Sequence, residues 1–327
     1  MYQPEPLYKL LDWIDKNKIN WTWLSKNSNA IHLLGTNPEK INWEYLSENP
    51  NAISLLQENP KKINLSRLAR NSNVIPFLER VIQEKSINFD KIDWHVLSGN
   101  PNAIPLLEKY PDKIDWHVLS GNPNAIPLLE TLIQEKSINF DKINWELLSQ
   151  NPNAIPLLEK NPDKIDWDYL SLNPNAISLL EKNQDKINWN WLSTNPNAIP
   201  LLEKKPDKID WKWLSKNPNA IHLLEANPDK IFWSMLSGNS KAIPLLEKNP
   251  DKINWIWLSS NPNASHLLEK NPEIIDWNLL SANPSIFEID YRTMKKQMVD
   301  IYLEELMKVV FHPKRISAWL DAGFEDV

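Results

Sequence analysis

The chain has 327 residues, a formal net charge of −6 and no cysteine. The lack of thiols excludes a disulfide framework and thiolate catalysis. The mild acidity gives no electrostatic footprint for nucleic acid, and no apolar run reaches the length needed to span a bilayer. Tryptophan is the outlying number, at 17 residues.

Met1 to Leu11 has neither the basic start nor the apolar stretch of a secretory leader, so none is expected. Leu7 to Asn17 reads as a lone helix. Its Leu10, Leu11, Trp13 and Ile14 would cover the apolar end of the segment that begins at Ile19, giving an N-terminal capping helix within residues 1–18.

From Ile19 onward a 22-residue unit recurs, usually opening Ile-(Asn/Asp)-Trp. Copies start at Ile19, Ile41, Ile63, Ile92, Ile114, Ile143, Ile165, Ile187, Ile209, Ile231, Ile253 and Ile275. A short fixed period means a stacked solenoid, because one unit cannot bury its apolar face alone. Ile143 to Lys164 is the most regular copy. Asn144 caps a first short helix, α or 3₁₀, in which Trp145 and Leu148 share a face. Ser149 and Asn151 end it and Pro152 stops it. Asn153 is expected to cap a second helix with Pro156 in its first turn, where a missing N–H costs nothing. Ile155, Leu157 and Leu158 are its buried face. The Asn-Pro-Asp-Lys turn after it reads as exposed.

Two copies, 63–91 and 114–142, are longer by seven residues. An insertion of about two turns preserves helix facing, so longer second helices are expected there, beginning at Arg80-Val81-Ile82 and Thr131-Leu132-Ile133. Indel drift with local packing by Phe89 and Phe140 is the plainer account.

Comparing copies within the chain separates fixed from variable positions. The Trp column, represented by Trp145, Trp167 and Trp189, breaks only at Leu65 and is expected to pack ring against neighbouring repeat. The Asn column, represented by Asn151, Asn173 and Asn195, never varies and is expected to be a structural ladder satisfying backbone groups at a corner. The Ser two before it bonds locally. The position after the Trp varies freely and should face solvent. The next position is mostly apolar, and there Trp191, Trp213 and Trp257 fall near one another. With the neighbours Asn190, Lys212 and Ile256 they form the candidate partner-binding face. A semi-buried rim of the core is the plainer reading of the same residues.

No catalytic, cofactor-binding or metal site is expected. His32, His222 and His266 share their position with Ser54, Ser178 and Pro156, which marks a tolerated surface site. His95 and His117 are equivalent in adjacent repeats, about 10 Å apart, too far to share a zinc with bonds of about 2 Å. There is no glycine-rich phosphate loop and no serine elbow. Past Pro284 the repeat decays. Tyr291 to Phe311 carries Met294, Met298, Tyr302, Leu306 and Val310 at helical spacing. Pro313 opens a last short helix through Ile316, Trp319 and Leu320, stopping near Gly323. Residues 291–327 are thus expected to be a C-terminal helical cap, or else a docking module using Lys314, Arg315 and Trp319.

The phrase D-K-I-N-W-x-x-L-S-x-N-P-N-A-I-x-L-L-E resembles the tandem repeats of proteins encoded by nucleocytoplasmic large DNA viruses of the marseillevirus, mimivirus, phycodnavirus and iridovirus kinds. The likeness covers about Ile19 to Phe287, and the segment from Glu305 to Ile316 also resembles a C-terminal stretch of such proteins. The resemblance implies a viral protein in the host cytoplasm or the virion. It carries no site residues over, and Leu65 with Leu68-Ala69 departs from it, so looser packing is expected in the third copy. A weaker likeness is to leucine-rich-variant repeats, which pair an α-helix with a 3₁₀ helix.

The expectation is an all-α, right-handed α-solenoid of about twelve two-helix repeats over 19–290 with helical caps, an elongated curved rod on the order of 100 Å along its path. Its function would be a non-catalytic protein-binding scaffold needing no cofactor, metal, nucleic acid or membrane. The alternative is a structural virion or assembly component. Oligomeric state is not legible.

Overall fold

The computed structural model describes residues 6–85, 88–135 and 140–321, without the side chains of 300, 301, 304–306 and 318–321. The chain divides into two compact units, 15–285 and the two chain ends, 1–14 with 286–327.

The unit 15–285 is an all-α solenoid. In each repeat a first helix of four to six residues opens at the Trp, or at Leu65 in the third copy, as in Trp145–Gln150 and Trp189–Leu192. The preceding Asn or Asp caps it in every repeat except that of Phe232; Asn144 Oδ1 accepts the Leu147 N–H at 2.9 Å. The second helix, such as Ile155–Lys160, has Pro156 in its first turn, and a 3₁₀ turn, Pro162–Lys164, leads to the next copy. Ala154, not Asn153, occupies the cap position. The Asn153 side chain instead reaches back one repeat and donates to the Pro123 carbonyl at 2.9 Å.

The Asn column links the repeats. Asn151 Nδ2 donates to the carbonyls of Ser120 (3.2 Å) and Asn122 (2.9 Å) in the preceding repeat, while its Oδ1 accepts the Asn153 N–H (3.1 Å). The Asn is buried and both amide protons are used. The Ser adds a second link. Ser149 Oγ accepts the Asp166 N–H of the next repeat at 3.0 Å. In the third copy Ala69 has no hydroxyl to do this, yet Asn71 and Asn100 keep both donations and Leu68 is buried, so the ladder is unbroken there.

The ladder has no end. Asn27 of the first repeat donates to the carbonyls of Ser281 (3.1 Å) and Asn283 (3.0 Å) of the last. Asn20 N–H reaches Ser281 Oγ at 2.9 Å, and Asn29 reaches the Pro284 carbonyl at 3.2 Å. Each copies a bond made at the interior junctions. Lys18 also lies over the Trp277 ring, 5.5 Å from its centroid, as Lys40 lies over Trp21 at 4.5 Å. The last copy therefore takes its closing lysine from the start of the chain. The expected open rod is corrected: the twelve repeats close into a ring. Closure needs about 30° of turn per repeat, and the small rotation between units supplies it.

Neighbouring first helices pack closely, as Trp145–Gln150 against Trp167–Leu172. Neighbouring second helices stand farther apart and are spanned by long side chains, Lys160 to Glu130 at 3.2 Å and Lys204 to Glu181 at 3.1 Å. The tighter row has the shorter circumference, so the first helices form the inner wall.

The core is aliphatic. The Leu three after each Trp and the Ala before each second helix are excluded from solvent almost without exception, as Leu170 and Ala176 are. The Trp column, expected to be that core, is half-buried, with Trp94 alone buried. Its outer face is covered where a lysine lies over it, as Lys186 does over Trp167 at 4.5 Å, or where Phe140 stacks on Trp145 at 5.9 Å. The longer second helices of the two long copies are present, Ile75–Gln83 and Ile126–Gln134. They gain about one turn, not two. The first ends at Lys85, whose φ of 52° turns the chain away. Residues 86–87 and 136–139 of the insertions lie outside the described residues.

The other unit corrects the N-terminal helix. Tyr8–Leu10 is a strand, β1, antiparallel to β2, Phe287–Ile289, with Lys9 opposite Glu288. A cross-strand ion pair of 2.8 Å and the backbone bond from Leu11 N–H to the Ile286 carbonyl favour that pairing over a short isolated helix. The long C-terminal helix is Tyr291–Val310, followed by Pro313–Asp321. The side chains of Leu306, Trp319 and Leu320, and residue Gly323, lie outside the described residues.

Two outcomes test this architecture. Asn27→Ala should cost about 2–4 kcal/mol in denaturant unfolding, as much as Asn151→Ala, because each orphans buried backbone groups. In an open rod Asn27 would sit at a free end and its loss would be near neutral. Leu170→Ala should cost about 3–5 kcal/mol and Trp167→Ala only about 2–3, since the exposed part of the ring loses little.

Candidate interaction face

The first helix, with the turn that follows it in the shorter copies, presents the positions one, two and five after the Trp on one side. Stacking brings them into register around the inner wall. The position one after the Trp meets the cap residue of the next repeat. His95 Nδ1 lies 2.7 Å from Asp115, Asn188 donates to Asp168 at 3.0 Å, and Asn20 donates to Asn278 at 2.6 Å. The position two after the Trp lies over the position five after the Trp of the preceding repeat. A Cβ on Gly99 would stand 3.1 Å from Val118, and Arg67 bonds Glu48.

These contacts sort the wall into sectors. The first three repeats carry a charge network of Lys26, Glu44, Glu48, Arg67 and Arg70. Burial pushes the Glu48 carboxyl up, but the Arg67 hydrogen bond and the Lys26 charge outweigh it and hold it below the usual carboxylate value. The fourth and fifth carry His95 and His117 beside Val96 and Val118, with His95 engaged by Asp115. Asp115 is likewise held low: burial opposes the charge, but His95 and the Val118 N–H prevail.

The aromatic sector contains the candidates. Tyr169 meets Trp191 edge-on, 5.2 Å between centroids. Trp191 and Trp213 then form walls of an open pocket of about 350 Å³, completed by Leu172, Thr194 and Lys216. Lys212 Nζ lies 5.7 Å from the Trp213 ring centroid. Asn190 is exposed on the helix of Trp191. Trp213 is 36% exposed, Trp257 50% and Ile256 58%. The structure thus brings Trp191, Trp213 and Lys212 together. Trp257 and Ile256 lie on the same wall two repeats beyond Trp213, with Met235 between.

Leu172, Thr194 and Lys216 escaped the sequence reading, because the position five after the Trp shows no pattern until stacking places it under the next aromatic. Phe232 also escaped. It stands where the other eleven repeats have Asn or Asp, so the helix Trp233–Ser237 has no side-chain cap, and its ring is 47% exposed. That break was visible in the sequence as the one exception in the cap column.

His222 and His266 pair with Glu203 (2.9 Å) and Glu247 (2.7 Å) on the second-helix side, and both are exposed. Among the described residues no group of three or more His, Cys, Asp or Glu could hold a metal ion, and no helix is long and apolar enough to cross a membrane. The unit formed by the chain ends has an open depression lined by Lys9 and residues 288–293, whose Lys9 and Glu288 are paired with each other. Comparisons with protein-family models, with curated proteins and with solved structures return no match.

Phe232→Asp restores the cap and should raise stability by about 1 kcal/mol in denaturant unfolding. No gain would mean that the Phe ring makes compensating contacts in the fold.

Proposed function

We propose that this chain is a non-catalytic protein-binding scaffold that takes a polypeptide segment on its inner wall, centred on Trp191 and Trp213. The observation that carries the reading is the pocket between those two rings. Large aromatics with one open side bury much area on contact and cluster where binding energy concentrates. The closed ladder holds them at fixed spacing, so little order is lost on binding. The likeness of the unit to repeats of large-DNA-virus proteins supports a partner of host or viral origin, met in the host cytoplasm or the virion. The variable inner positions on an invariant frame support recognition over catalysis.

A displayed library of short random peptides, selected on the full-length protein, tests this. Peptides should be enriched on the wild type, and their capture should fall at least about tenfold on a Trp191→Ala/Trp213→Ala variant that still melts cooperatively. No enrichment, or capture that ignores the double substitution, would overturn the reading.

A further inference from the structure

Resting on that reading, we infer that the segment bound is acidic and extended, with an apolar side chain between Trp191 and Trp213 and a carboxylate between Lys212 and Lys216. Lys212 lies on the helix Trp211–Leu214 and Lys216 in the turn that follows it, and both stand near Trp213: Lys212 Nζ is 5.7 Å from its ring centroid, and Lys216 lines the pocket beside it. Among the described residues neither has a carboxylate within ion-pair distance. Asp210, on the same segment, accepts the Trp213 N–H at 3.1 Å as the helix cap.

The repeat rule explains why Lys212 is left over. At four junctions the polar residue after the Trp is met by the next repeat's Asn or Asp: His95 by Asp115, His117 by Asn144, Asp168 by Asn188 and Asn278 by Asn20. Beside Lys212 the next cap position is Phe232, which offers no oxygen. The chain gives up a helix cap there and exposes an aromatic ring at the same point. Local rules broken at one place, without gain to the fold, mark a place shaped by something else. A carboxylate from a partner would meet Lys212 and Lys216, and its neighbouring side chain would meet Phe232.

The dimensions suit an extended chain. Adjacent repeats lie about 10 Å apart, which an extended peptide covers in about three residues. The pocket is open along the wall, whereas a small ligand needs a site that encloses most of its surface. Aromatic rings beside lysines also suit single-stranded nucleic acid. The preceding repeats argue against it, because Glu146 and Asp168 stand on the same wall and would face a phosphate on every residue.

The same peptide selection decides the matter when it is repeated on Lys212→Gln/Lys216→Gln and on Phe232→Asp. Wild-type protein should enrich peptides with an Asp or Glu within about three residues of an apolar side chain. The lysine variant should lose the acidic bias but keep the apolar preference. Phe232→Asp, which restores the cap, should lower capture of acidic peptides about tenfold by placing its own carboxylate beside Lys212. Wild-type capture should also weaken as salt rises. Enriched peptides that depend on Trp191 and Trp213 but are neutral or basic would overturn this inference and leave the scaffold reading standing. Acidic bias that survives loss of both lysines would do the same. A dT oligonucleotide that binds tightly and competes with the peptides would replace the inference with nucleic-acid recognition, and absence of any enriched peptide would end both.

Discussion

Everything in the ring depends on one side-chain amide per repeat. Asn has two donors and one carbonyl, and at this corner all are used. The donors take the Ser and Asn carbonyls of the preceding repeat, and the oxygen takes the N–H two residues on. These are backbone groups at a helix end that no helix can satisfy by itself. Gln is longer by a methylene and Asp lacks the donors, so neither fits both tasks. This accounts for a column that tolerates no exception while the Trp column tolerates Leu65. A lost ring leaves reduced packing; a lost amide leaves buried carbonyls unpaired on the neighbouring unit.

Closure depends on the same bond. In an open stack the first Asn and the last pair of carbonyls are left to solvent or to a cap. Here Asn27 and Asn283 meet, and the ladder becomes a cycle. The closed stack has no free end for a polar cap to cover, and the chain ends form their own small unit with a two-stranded sheet. Lys18 over Trp277 shows how far the joint imitates an interior junction, since even the solvent-side cation is supplied.

The repeat period, the two-helix unit, the cap column and the Asn ladder were all legible in the residues, because each is a local pattern copied along the chain. Closure was not. It depends on a rotation between units set by the difference in spacing of two helix rows, and no single residue carries that. The strand at Tyr8–Leu10 was hidden for a related reason: its partner is Phe287–Ile289 at the far end of the chain, and Leu10, Leu11, Trp13 and Ile14 also fit a helix. The Trp column lies shallower than its near-constancy suggests, since constancy and burial are separate properties. A ring half in water, covered by its own repeat's lysine, is fixed just as firmly.

The candidate face shows where a repeat protein can carry information. Positions that hold the ring together are the same in nearly every unit and so distinguish nothing. What differs is a band of three positions per first helix, and stacking turns it into a continuous surface. Within that band the sectors do not compensate one another. His95 is met by Asp115, and Arg67 by Glu44 and Glu48, whereas Lys212 and Lys216 stand beside Trp213 with Phe232 where a carboxylate would complete the pattern. A frame stabilised by twelve equivalent junctions can tolerate one missing cap of about 1 kcal/mol. That tolerance lets a single repeat trade a local bond for an unpaired charge and an exposed ring without disturbing its neighbours.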